Sequence, residues 1–160
     1  MPPESASELY KILFATAVEF IRSQDQDLNQ PSRMNFDRVR AIRTSDHRHH
    51  FGHNYCVSTK PLFQGARSVE DFLAHLNAML PKIDTWDTDI TDIAVDEPRK
   101  MCVVRASYFM KPFEVNEPVE NDLVWWLWME DGGKKVKKAM EFIDPMATGR
   151  IRELMMTGGK

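Results

Sequence analysis

Four of the chain's five histidines fall within nine residues, Ser45-Asp46-His47-Arg48-His49-His50-Phe51-Gly52-His53. Two kinds of chemistry fit such a run. Imidazole is a metal ligand, and three or four converging His, Asp, Glu or Cys side chains complete a site. Imidazole also takes up and gives back protons near neutral pH, so one well-placed histidine serves as general acid or base. On an extended chain His47 and His49 share a face and His50 points the other way. Asp46, His50 and Cys56 stand nearby as further ligands for a metal. However, no second ligand pair of the H-x-x-x-H or C-x-x-C kind stands elsewhere in the chain. A metal-dependent enzyme using the His47–His53 cluster therefore stays open as an alternative, and proton chemistry is the reading carried forward.

The elements around this stretch fix where it can sit. Ser5-Ala6-Ser7-Glu8 is a capping-box pattern, and Leu9, Ile12, Leu13, Thr16, Ala17, Phe20 and Ile21 recur at helical spacing, which predicts a helix over about 6–22. Polar residues 23–31 read as a loop. A second helix is expected over 32–43, with Phe36, Val39 and Ile42 inward. The histidine stretch follows as a short strand or turn, and 58–67 reads as loop. Ser68 caps a third helix whose buried face is Phe72, Leu73, Leu76, Met79 and Leu80. The period then changes to two. Strands are expected over 86–95, 101–110, 122–130 and 135–144, with Asp131-Gly132-Gly133 as a hairpin turn and a closing helix over 148–156. Helices first and antiparallel strands after is an α+β order, a curved sheet covered on one face by helices. Such a sheet leaves a cone-shaped hollow, which needs only a few polar groups to orient a ligand.

Totals narrow the function. A chain of 160 residues suits one domain, expected over 1–160 with its core at about 6–156. Net charge is −3, and the one basic run, Lys134-Lys135-Val136-Lys137-Lys138, reads as a solvated strand edge, so no nucleic-acid partner is expected. No apolar run reaches membrane-spanning length, the start MPPESASEL has neither a basic nor an apolar signal region, and two cysteines make no disulfide framework. A cytoplasmic protein with no membrane partner is expected.

Three stretches then carry a resemblance. Residues 36–49, FDRVRAIRTSDHRH, look like a second helix running into an R-x-x-D-C-x-H segment, with His47 where cysteine is common. Residues 120–125, ENDLVW, are similar to N-E-Y-V-W, and residues 136–144, VKKAMEFID, to I-x-x-x-E-F-x-D. Together with the F-L-A-H-L of the third helix, in this order, they resemble the SnoaL-like branch of the nuclear transport factor 2-like superfamily, and among it the small fungal members of secondary-metabolite biosynthesis. The resemblance spans about residues 7–156. It implies the cone-shaped α+β barrel, no metal and no organic cofactor, and acid–base isomerisation or cyclisation of a polyketide, terpenoid or alkaloid intermediate. It also implies a homodimer. A non-catalytic binding or dimerising module of the same fold is the alternative, since one fold hosts many functions.

Residue by residue, the resemblance places His49 at the matching histidine. Asp122 stands where glutamate is common, one methylene shorter. Glu141 and Asp144 match the last motif. Strand parity puts these two on opposite faces unless the strand bulges. Asp144 shares its face with Val136, Met140 and Phe142, so Asp144 is expected at the pocket wall, with Glu141 as second candidate and helix capping as Asp144's other possible role. Parity places Tyr108 inside with Cys102, Val104, Ala106 and Met110, where a phenol donates to a carbonyl or enolate. The expected catalytic set is thus His49, Asp122, Asp144, Glu141 and Tyr108. The expected substrate-binding set is Arg38, Trp126, Trp128, His50 and Met140. Both faces of the tryptophan-bearing strand are apolar, so one borders the cavity and a second subunit covers the other.

Overall fold

The computed structural model describes residues 1–157. Helix α1 (Glu8–Arg22) begins where the Ser7 hydroxyl accepts the Tyr10 amide at 2.9 Å, and it buries Leu13, Thr16, Ala17, Phe20 and Ile21. Helix α2 (Phe36–Ala41) is shorter than the pattern suggested, because Asn35 caps it and Ile42 already leads into the next strand. Strand β1 (Arg43–Gly52) takes in almost the whole histidine stretch. The segment read as a loop holds a short helix α3 (Asn54–Thr59) and a 3-10 turn at Pro61–Phe63. Helix α4 (Val69–Met79) has a full capping box between Ser68 and Asp71 and is followed by a 3-10 turn at Leu80–Lys82.

Four further strands follow: β2 (Ile83–Asp96), β3 (Met101–Pro112), β4 (Val119–Met129) and β5 (Val136–Phe142). Helix α5 (Pro145–Thr157) closes the described chain, starting three residues earlier than expected because Pro145 opens a helix readily. The sheet has the order β1-β5-β4-β3-β2, with β1 parallel to β5 and every other pair antiparallel. Register shifts occur in β1–β5, in β4–β5 and twice in β2–β3. Bulges of this kind bend strands, which turns a flat sheet into an open cone.

Two apolar clusters fill the concave face. In one, Leu13, Ala17, Phe20 and Ile21 of α1 pack on β3, β4 and β5. In the other, α4, the 3-10 turn after it and Ile151 of α5 pack around Ile83 and Trp86 of β2. A hollow lies where these clusters meet. Its wall takes Tyr108, Leu123 and Trp125 from the first and Phe72, Leu76 and Trp86 from the second. Among the described residues no helix is long and apolar enough to cross a membrane.

Candidate active site

Strand β1 sends Arg43, His47 and His49 into the core, where 2%, 1% and 0% of their surfaces remain exposed. His47 Nδ1 lies 2.8 Å from the Val136 carbonyl oxygen, an acceptor, so Nδ1 carries the proton. Burial and the Arg43 charge push His47 down to about 3, so it is neutral at any ordinary pH. Arg43 donates to the Val39 carbonyl at 2.8 Å and stacks 4.1 Å from the Phe20 ring centroid; burial pulls it down to about 9, still a cation at neutral pH. His47 is therefore a strut between β1 and β5.

His49 does different work. Its Nε2 sits 2.9 Å from Glu141 Oε2, and the rings of Phe72, Phe51 and Trp125 lie 4.7, 4.9 and 5.3 Å from it. Packing therefore fixes the imidazole, and the imidazole fixes the carboxylate. Glu141 reaches the cavity because β5 bulges. Val136 and Ala139 are both fully buried, a step of three residues where unbroken alternation allows only two or four. From Ala139 onward Glu141 and Ile143 face inward and Met140 and Phe142 face outward.

The cavity holds about 460 Å³, a size that takes a small organic molecule. Its walls are mainly aromatic and thioether side chains, including Phe51, Phe72, Trp86, Trp125, Met34 and Met110. Glu141, Tyr108 and Asn121 supply polar groups. The Trp125 indole N–H donates to the Tyr108 hydroxyl at 3.1 Å, so the phenol accepts there and its own proton is free for a ligand. Burial, and secondarily the Glu141 charge, raise Tyr108 above the ordinary phenol range, so it stays protonated.

One lining residue was not singled out from the sequence. His75 on α4 borders the cavity, and burial, then the charge of Arg67, lower it, which favours neutral imidazole. The signal was present: Phe72, His75, Leu76 and Met79 stand at i, i+3, i+4 and i+7, one stripe of the helix.

Several expected site residues stand elsewhere. Asp122 lies on the outer face, held low by Arg105, whose guanidinium donates to it at 2.5 Å. Trp126 and Trp128 share that face; Trp126 is 40% exposed, and Lys138 Nζ lies 4.7 Å from the Trp128 ring centroid. The reason is register. Tyr108 is opposite Asn121, so an inward Tyr108 brings Asn121, Leu123 and Trp125 inward and turns Asp122, Trp126 and Trp128 out. Asp144 is absent from the wall and caps α5, accepting from the Met146 and Ala147 amides at 2.9 and 3.2 Å. Arg38 forms a two-pronged pair with Glu19 at 2.7 and 2.8 Å, away from the cavity. His50 and Met140 are opposite each other in the β1–β5 pair, on the face away from His49 and Glu141. Of the ten expected residues, the structure brings together His49, Glu141 and Tyr108. Among the described residues no group of three or more His, Cys, Asp or Glu is placed to hold a metal ion.

Known structures share this architecture. BvnE pinacolase from Penicillium brevicompactum superposes with a TM-score of 0.76 at 12% identity, covering 96% of this chain and 97% of that one. PrhC from Penicillium brasilianum NBRC 6234 gives 0.72 at 17% identity, over 94% and 91%. A protein described as a SnoaL-like polyketide cyclase from Jannaschia Sp. CCS1 gives 0.66 at 16% identity, over 93% and 96%. At these identities the likeness is one of fold. No protein-family model matches the sequence, and no curated protein matches it either.

Proposed function

With the SnoaL-like, nuclear transport factor 2-like fold as the premise, we propose that the chain is an isomerase or cyclase. It acts by general acid–base catalysis, without an organic cofactor, on a polyketide, terpenoid or alkaloid intermediate of fungal secondary metabolism. The observation that carries this reading is Glu141, a carboxylate set in an apolar wall and anchored by a wholly buried histidine.

Each group has a task. The Glu141 carboxylate accepts a proton from carbon or from a hydroxyl of the ligand and returns it to another position. His49 is a positioning residue: donating from Nε2, it holds the acceptor oxygen still, which matters because misplacement by about 1 Å can cost roughly 100-fold in rate. Tyr108 donates its free O–H to the ligand oxygen where negative charge develops. The aromatic walls keep bulk water from the intermediate. His75, neutral and in the same cavity, is a second proton carrier within this arrangement.

One neighbour in fold, described as a SnoaL-like polyketide cyclase, supports the substrate class, and another, named a pinacolase, supports an enzymatic role for this fold. A carboxylate held by a buried histidine in a mainly apolar wall favours proton transfer over plain binding of an apolar ligand. We also read the outer face of β4 and β5, with Trp126, Trp128, Met140 and Phe142, as the contact surface of a homodimer.

The test is conversion of intermediates from a producing strain that lacks this gene. Isomerisation or cyclisation gives a product of unchanged mass. A product lighter by one water would replace the reading with dehydration. No conversion of any intermediate, with ligand still bound, would replace it with a binding function.

A further inference from the structure

The charged groups around the cavity are unevenly placed. Among the described residues Glu141 is the one carboxylate in the wall, and it stands with the buried Tyr108 and Asn121. Among the described residues the cations in the wall are at exposed positions, Lys82 at the end of the 3-10 turn after α4 and Arg152 on α5. Leu80 and Ile151 belong to one apolar cluster, and Lys82 and Arg152 both border the cavity that it helps to line. Neither cation forms an ion pair or side-chain hydrogen bond among the described residues. By contrast Arg38, Arg40, Arg105, Lys111 and Arg150 are all paired with carboxylates. Two uncommitted cations beside an apolar cleft mark where an anion is welcome, while the Glu141 charge makes the inner end unwelcoming to one.

We infer that the ligand is an apolar, ring-bearing acid: its reacting end lies against Glu141 and Tyr108, its body between the aromatic walls, and its carboxylate at the rim between Lys82 and Arg152. This rests on the reading of the cavity as the active site and adds the direction in which the substrate enters. The inner end then holds the uncharged, reacting functional group. The carboxylate is a handle, and it takes no part in bond making. Five methionines in the wall, Met34, Met79, Met110, Met155 and Met156, adapt to differently shaped ring systems, so the handle sets orientation where shape does not.

The probes are dehydroabietic acid, a tricyclic terpenoid carboxylate, and its methyl ester. Binding is followed by calorimetry and by the fluorescence of Trp86 and Trp125. At low salt the acid binds about ten-fold more tightly than the ester, a preference that high salt screens. In the Lys82→Met/Arg152→Met variant the two probes bind within about two-fold of each other, while Lys137→Met, on the exposed β5 surface, keeps the wild-type preference. Equal binding of acid and ester to the wild type overturns the proposal, and so does a preference that persists in the double variant. Binding of neither probe overturns it together with the cavity as a ligand site. Failure of the acid–base reading looks different: full turnover by Glu141→Gln with the acid preference intact.

Discussion

Nε2 of His49 stands 2.9 Å from Oε2 of Glu141, across the one parallel strand pair of the sheet. The histidine is wholly buried, and 14% of the carboxylate side chain is exposed, on its cavity side. One residue is thus fixed by the core and the other is presented by it. His49→Ala removes the anchor while leaving the carboxylate in place. We expect kcat to fall about 100-fold with KM changed much less, since positioning is lost and the walls remain. Steady-state kinetics on the native substrate check this.

Tyr108 and Trp125 form a second unit. Tyr108→Phe leaves the buried Trp125 N–H without its acceptor, at a cost of about 1–3 kcal/mol in urea unfolding. Adding Trp125→Phe removes the orphaned donor, so the double variant is less destabilised than the sum of the singles. Loss of the phenol proton lowers kcat by about 10²-fold or more.

Stability depends on pH through His47. Its proton affinity in the fold lies far below that of the unfolded chain, at about 3 against 6.5. Between those values the unfolded state binds the extra proton, so stability rises with pH across this window. The contribution is complete above about pH 6.5 and is lost as pH falls towards 3. Urea unfolding measured from pH 7 to pH 4 should show this loss. His47→Gln, which cannot take the proton, should reduce the slope by up to about 1.4 kcal/mol per pH unit.

Two carboxylates outside the cavity supply the contrast. Asp122→Asn breaks a surface pair with Arg105 and changes stability by less than about 1 kcal/mol. Asp144→Ala removes the α5 cap and costs about 1 kcal/mol. Both variants should keep kcat within about three-fold of wild type, because neither residue touches the cavity. A large loss in either would return that residue to the site.

The history of these residues shows what a sequence carries. Helix α4 was legible from its Ser68 cap, because Ser68 and the apolar stripe lie within twelve residues of one another. Tyr108 was legible because β3 alternates without interruption, and the fold followed from the order of elements and the resemblance of three motifs. The inward face of β4 was not legible. It is set by which residue pairs with Tyr108, and register is a relation between strands. Nor could alternation within β5 reveal its bulge, which exchanges Asp144 for Glu141 at the wall. The strand nature of the histidine stretch was half legible. Its parallel pairing with β5, which brings His49 to Glu141, joins residues ninety or more positions apart.

In the proposed reaction Glu141 is the group that moves the proton. Glu141→Gln keeps the shape and still accepts a hydrogen bond from His49, so fold and ligand binding should survive. The deciding measurement is kcat/KM of this variant on the native substrate, beside circular dichroism and ligand affinity. A fall of about 10²–10⁴-fold with affinity retained is the predicted result. Turnover within about three-fold of wild type would contradict it.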